Sequence, residues 1–336
     1  MSTTTTTTPP PHVVEESHGV IRLYSDGTVV RSHNPAFSFP LIDNPAVTWT
    51  DVVYDATNDL KLRLYKPTSI PNTTTKLPVF YFIHGGGFCL GSRTWSNFHN
   101  FCVRLCHELG VIVVAPDYRL APETRLPAGI EDGVAAVEWL KGEAEKGAGD
   151  TWIGDVADFR QVFVCGDSAG GNIAHHVAVR ARSGWLGPKV RVRGFVMLAP
   201  YFGGTERTRS EAEGRKDTFL NLENIDRYWR FSLPIGATRD HPLANPFGPG
   251  SPSLEGVPLV PILVVMGEHD LLKDRVKDYS DRLKKLGNKV EYVEFEGEEH
   301  GFPTLRPDSK TLTELVELIK KFIGENLDAS SVGEQT

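Results

Sequence analysis

The chain has 336 residues, 40% hydrophobic and 24% charged, enough for one large α/β domain with a substantial core. A formal net charge of −7 gives no general attraction to phosphate backbones or anionic lipid, so nucleic acid and membrane surfaces are not expected partners. The sequence has no apolar run of the roughly 18 residues needed to span a bilayer.

Residues 1–11, a threonine tract followed by prolines, bury too little apolar area to offset their ordering entropy. They are expected to form a disordered tail, as are residues 331–336 at the other end. The opening stretch lacks the basic and apolar regions of a secretory leader, so the expected location is cytoplasmic, with nuclear presence also allowed. Asn72-Thr73-Thr74 then reads as an incidental match to the glycosylation pattern. Cys89, Cys102, Cys106 and Cys165 form no C-x-x-C pair, which fits free thiols in a reducing compartment.

Alternation in "VVYDATNDLKLRLYKP" (52–67) around an Asn-Asp turn predicts an antiparallel hairpin at a sheet edge. Beyond it, short β-branched runs alternate with segments of helical period. Strands are expected at 77–83, 111–116, 161–166, 192–200, 261–267 and 290–297. Helices are expected around 96–109, 128–146, 171–182, 271–286 and 309–327. The last places Leu312, Leu315, Val316, Ile319, Phe322 and Ile323 on one face. This order predicts one α/β domain over 12–330 with a mostly parallel sheet flanked by helices, and ligands beyond the carboxyl ends of the strands. The interval from Pro200 to Pro261 has no strand pattern and is expected to form a lid or cap. Arg180, Arg182, Lys189, Arg191 and Arg193, the densest basic stretch, read as a solvated helix end followed by a strand.

The strongest chemical signal is Gly166-Asp167-Ser168-Ala169-Gly170, a G-x-S-x-G turn between a strand and a helix that would expose the Ser168 hydroxyl above the sheet. A serine hydroxyl becomes nucleophilic only when a base takes its proton, so a histidine held by a carboxylate is required, in the chain order serine, acid, histidine. Asp270 and His300 follow successive strands in that order, with Glu268 and Asp274 as competing acids. Attack on an ester carbonyl creates an oxyanion, for which the amide of Ala169 and those of Gly86 and Gly87 in the loop "HGGGFCLGS" are the expected donors. The glycines do not suit a phosphate: no Lys-Ser/Thr follows, and G-x-G-x-x-G fails at Leu90. His175 and His176 read as packing or exposed residues, and the remaining histidines show no metal-ligand spacing. No metal and no cofactor are expected.

Taken together, "HGGGF", "DYRLAPE", "LPAGIEDGVAAVEWL" and "GDSAGGNIAHH" resemble the plant carboxylesterases of the hormone-sensitive-lipase group of α/β-hydrolases. "SRTWSNFHNFC", "ERTRSE" and "LANPFGPGSP" further resemble the subgroup that hydrolyses strigolactones, the carotenoid-derived butenolide hormones. The resemblance covers about 24–326 and implies a serine carboxylesterase with Ser168 as nucleophile, His300 as general base and acid, and Asp270 as its orienting partner. Some members carry glutamate at the position of Asp270. The resemblance also implies a cap from about 12–45 and 204–250, with Phe88, Trp95, Phe98, Tyr228, Trp229 and Phe302 as apolar pocket walls or as plain core. The expected partner is a small-molecule ester, and the sequence leaves the choice between monomer and homodimer open. The group also contains gibberellin receptors, which bind hormone without hydrolysis and lack the catalytic histidine, so His300 favours an enzyme.

Overall fold

The alternating apolar runs pair into two separate sheets in a computed structural model that describes residues 10–32, 39–70, 76–146, 149, 151–181 and 185–327. The expected tails fall outside the described residues except for 10 and 11, and so do Asn72 and Arg182. Where the sequence suggests one domain over 12–330, the chain divides into two units, 1–38 and 39–336. In the smaller, β1 (Val13–Ser17), β2 (Ile21–Tyr24) and β3 (Val29–Arg31) form an antiparallel sheet of their own. These short strands find their ladder partners among themselves.

The larger unit holds strands β4 (Val47–Asp55), β5 (Leu60–Pro67), β6 (Leu77–Ile83), β7 (Ile112–Pro116), β8 (Ala157–Asp167), β9 (Val192–Leu198), β10 (Ile262–Gly267) and β11 (Val290–Phe295). Its helices are α1 (Ser96–Leu109), α2 (Ala128–Glu145), α3 (Ala169–Ala181), α4 (Arg209–Glu213), α5 (Leu222–Ser232), α6 (Lys273–Lys285), α7 (Phe302–Leu305) and α8 (Lys310–Asn326). The sheet order is β11-β10-β9-β8-β6-β7-β5-β4. Six strands, β6 to β11, run parallel, and the β4–β5 hairpin is joined antiparallel to β7.

Strand alternation assigns the helices to two layers. Phe80, Phe82, Phe163, Cys165, Val196 and Val265 join one core with residues of α1 and α8. Their neighbours of opposite parity face the other way: the Tyr81 hydroxyl reaches the carbonyl of Ala136 in α2, and Met197 meets the hydroxyl of Tyr279 in α6. The expected face of α8 is buried in full, each large side chain contributing about 1.5–3 kcal/mol of transfer free energy. Ser309 starts that helix by accepting from the amide of Leu312 at 3.1 Å. The four cysteines are buried and form no disulfide with one another.

What positions the site is the register of the parallel strands. Ile83 pairs with Gly166, Asp167 with Leu198, and Gly267 with Phe295. The carboxyl ends of β6, β8, β9, β10 and β11 therefore line up along one edge, and the loops that leave them share one space. The interval between Pro200 and Pro261 contains no strand, as expected, and carries α4 and α5.

Candidate active site

Ser168 occupies the single residue between β8 and α3, with φ of 51°. A non-glycine residue in this left-handed region costs on the order of 1 kcal/mol or more and persists only where its surroundings hold it. They do so here: the Ser168 amide donates to Leu198 at 2.8 Å, and its carbonyl accepts from Tyr201 at 2.8 Å and Asn172 at 3.1 Å. Gly170 is demanded by close approach, because a Cβ there would run into the backbone of Ile83 and His84. The turn is thus wedged against the start of the glycine loop.

His300 lies on the loop after β11 and Asp270 on the loop after β10. The Nε2 atom of His300 stands 2.9 Å from Ser168 Oγ, and its Nδ1 stands 2.7 Å from Asp270 Oδ2. All three residues are buried. With Nδ1–H directed to the carboxylate, Nε2 presents a lone pair to the serine hydroxyl, the tautomer a general base requires. Burial works against a charged imidazole, but the charge and hydrogen bond of Asp270, with a further contribution from Asp167, outweigh it and raise the His300 pKa above its usual value. The competing carboxylates are engaged elsewhere: Glu268 accepts from the amide of Gly297 at 2.9 Å, and Asp274 from that of Ser210 at 2.7 Å.

The glycine loop turns sharply after β6. Gly86 and Gly87 have φ of 112° and 58°, and the amides of Cys89 and Leu90 both fold back onto the carbonyl of Gly86. A Cβ on Gly85 would sit 3.1 Å from that of Ser168, so the loop lies directly against the serine turn. A Cβ on Gly87 would stand 2.6 Å from the ring of Tyr228 in α5. His84 anchors the loop's start: it stacks on Tyr118 at 4.3 Å, and the Tyr118 hydroxyl donates to the carbonyl of His84 at 3.0 Å. Burial depresses the His84 pKa, with the charge of Asp117 acting in the opposite direction.

The six aromatics named from the sequence divide between the core and the surroundings of the glycine loop. Phe98 and Phe302 belong to the core between the sheet and α1 and α8. Trp95 stacks on Phe98 at 6.3 Å. Trp229 stacks on Tyr201 at 4.2 Å, and Phe88 packs at 5.8 Å from Trp229. Phe88 lies within the glycine loop, Tyr228 packs against its Gly87, and Phe98 stands 5.4 Å from its His84.

Sequence reasoning passed over two features. Arg93 donates its amide to Asp117 at 2.7 Å and its guanidinium to Asp51 at 3.3 Å, tying the loop exit to β4; the "DYRLAPE" motif, which contains Asp117 and Tyr118, was the available signal. Asp167 is buried beside the serine, and burial pushes its pKa up to about 6, with His300 lowering and Asp270 raising it.

An aligned serine, imidazole and carboxylate at the carboxyl ends of a parallel sheet, beside a glycine loop, define the class as an α/β protein equipped for acyl transfer. A family model described as alpha/beta hydrolase fold matches residues 80–304, and the chain belongs to that family. It is 40% identical to carboxylesterase 20 of Arabidopsis thaliana, over 83% of this chain and 86% of that protein. It is 39% identical to the gibberellin receptor GID1B of the same plant, over 88% of this chain and 83% of that one. Among solved structures, the thermostable carboxylesterase EstE1 from a metagenomic library is similar with a TM-score of 0.72 and 29% identity, covering 85% of this chain and 92% of its own.

Proposed function

We propose that the chain is a serine carboxylesterase acting through an acyl-enzyme on apolar carboxylic esters. The observation that carries this reading is the continuous Ser168–His300–Asp270 hydrogen-bond chain. His300 takes the Ser168 proton as Oγ attacks the carbonyl carbon, while Asp270 holds the resulting imidazolium. The oxyanion faces the amides of Gly86, Gly87 and Ala169. As the carbonyl re-forms, the alkoxide leaves with the proton from His300. Water, deprotonated by the same ring, then attacks the acyl carbon and releases the acid and free Ser168. We assign residues 204–250 as the cap, with Tyr228 as the wall nearest the glycine loop.

For the natural substrate we propose a strigolactone, supported by the resemblance of "SRTWSNFHNFC", "ERTRSE" and "LANPFGPGSP" to the strigolactone-hydrolysing subgroup. The similarity to a gibberellin receptor favours a second reading, hormone binding without turnover. The hydrogen-bonded His300 weighs against it, since binding alone needs no base. Ser168→Ala is expected to lower kcat on a p-nitrophenyl ester by about 10⁴- to 10⁶-fold; turnover retained in that variant refutes the hydrolase reading. Product identification with a strigolactone tests the substrate, and hydrolysis of generic esters alone refutes that assignment. Tight gibberellin binding without hydrolysis would favour the receptor.

A further inference from the structure

Helix α6 begins immediately after the turn that carries Asp270, yet its N-cap residue is Leu272, which has no side-chain acceptor. A helix start leaves several amides needing partners. Two oxygens from outside the helix meet this need. Asp270 Oδ1 accepts from the amide of Leu272 at 2.9 Å, and Ser210 Oγ, from the insertion, accepts from that of Asp274 at 3.3 Å. The same Ser210 hydroxyl donates to the carbonyl of Leu271 at 2.7 Å, and the Ser210 amide donates to Asp274 Oδ2 at 2.7 Å. One residue therefore grips the 271–274 turn at three points.

The grip is itself anchored. Thr208 and Glu211 form a reciprocal capping box at the start of α4. Glu211 is buried and accepts from Arg275 at 2.7 Å, while Arg275 also donates to the carbonyl of Gly204 at 3.2 Å. At the far end of α4, a Cβ on Gly214 would stand 2.6 Å from Leu271 Cγ, so backbone and turn are in close contact there.

We propose that Ser210 is a positioning residue for Asp270: by capping α6 from the insertion, it fixes the turn that aims the carboxylate at His300. Asp270 divides its oxygens, Oδ1 to the helix start and Oδ2 to the imidazole. The plane of the carboxylate is consequently set by the turn, and the turn by Ser210. The inference rests on the Ser168–His300–Asp270 reading above and adds that docking of the insertion and alignment of the acid are coupled.

The test compares wild type, Ser210→Ala and Ser210→Thr on a p-nitrophenyl ester, together with the low-field proton resonance of the His300 Nδ1–H to Asp270 hydrogen bond. A geometric error near 1 Å costs up to about 10²-fold, so Ser210→Ala is expected to lose about tenfold in kcat with KM changed less than about twofold. Its resonance is expected to broaden or disappear, and Ser210→Thr, which keeps the hydroxyl, to restore both readouts. An unchanged resonance in Ser210→Ala overturns the proposal whatever the activity. Unchanged kcat in that variant overturns it while leaving the hydrolase reading intact. A wild type without Ser168-dependent turnover overturns both.

Discussion

Asp167 offers a prediction whose sign and size follow from its surroundings. The carboxyl is buried directly before Ser168, and its Oδ1 has no hydrogen-bond partner among the described residues. Burial raises its pKa to about 6, against about 3.9 in an unfolded chain. The folded state thus holds this proton more tightly than the unfolded state. The associated stability is fully present below about pH 3.9 and is lost as pH rises through about 6, amounting to about 3 kcal/mol above pH 7. Asp167→Asn keeps the shape and removes the ionisation. It is expected to match wild type within about 1 kcal/mol near pH 4 and to exceed it by about 2–3 kcal/mol near pH 8, a gap that opens between those values. Denaturant unfolding of both proteins across that range measures it. A stability difference that stays constant from pH 4 to pH 8 refutes the buried-carboxylate argument.

Two further predictions concern the rate. Because His300 must be neutral to accept the Ser168 proton and its pKa is raised, kcat/KM is expected to fall as pH decreases, with the midpoint above the ordinary value of about 6.5. Asp167→Asn should move that midpoint down; a wild-type midpoint below about 6 contradicts the argument that the carboxylates outweigh burial at His300. Gly87→Ala places a methyl 2.6 Å from the Tyr228 ring at a φ of 58°, and is expected to lower kcat/KM by about tenfold or more. If the clash is the cause, the loss shrinks in a Tyr228→Ala background; an equal loss in both backgrounds refutes the steric account.

The parts of the fold that were legible are those written in local pattern. The six parallel strands and the α8 face declare themselves through β-branched runs and a 3.6-residue period, and Ser168, Asp270 and His300 through their places just past strand ends. Length of β8 was not legible in the same way. It starts at Ala157 rather than near residue 161, because Leu77 and Pro78 pair with Ala157 and Asp158 before the register shifts at Val79. A bulge of this kind depends on the partner strand. Strands β1, β2 and β3 are only five, four and three residues long, too short to show a clear period in the sequence. Ser210 was illegible for a further reason: its partner Asp274 lies 64 residues away, and no periodicity links them.

The lined-up strand ends have a consequence for a shortened chain. The site draws on loops after β6, β8, β10 and β11, and His300 follows the last and outermost strand of the sheet. In chain order the glycine loop and the serine turn come first, and His300 follows Ser168 by 132 residues. The core beneath α1 also includes α8, whose Thr313 accepts from Arg104 at 2.8 Å. A chain cut before His300 would therefore keep Ser168 but lose the imidazole that stands 2.9 Å from its hydroxyl.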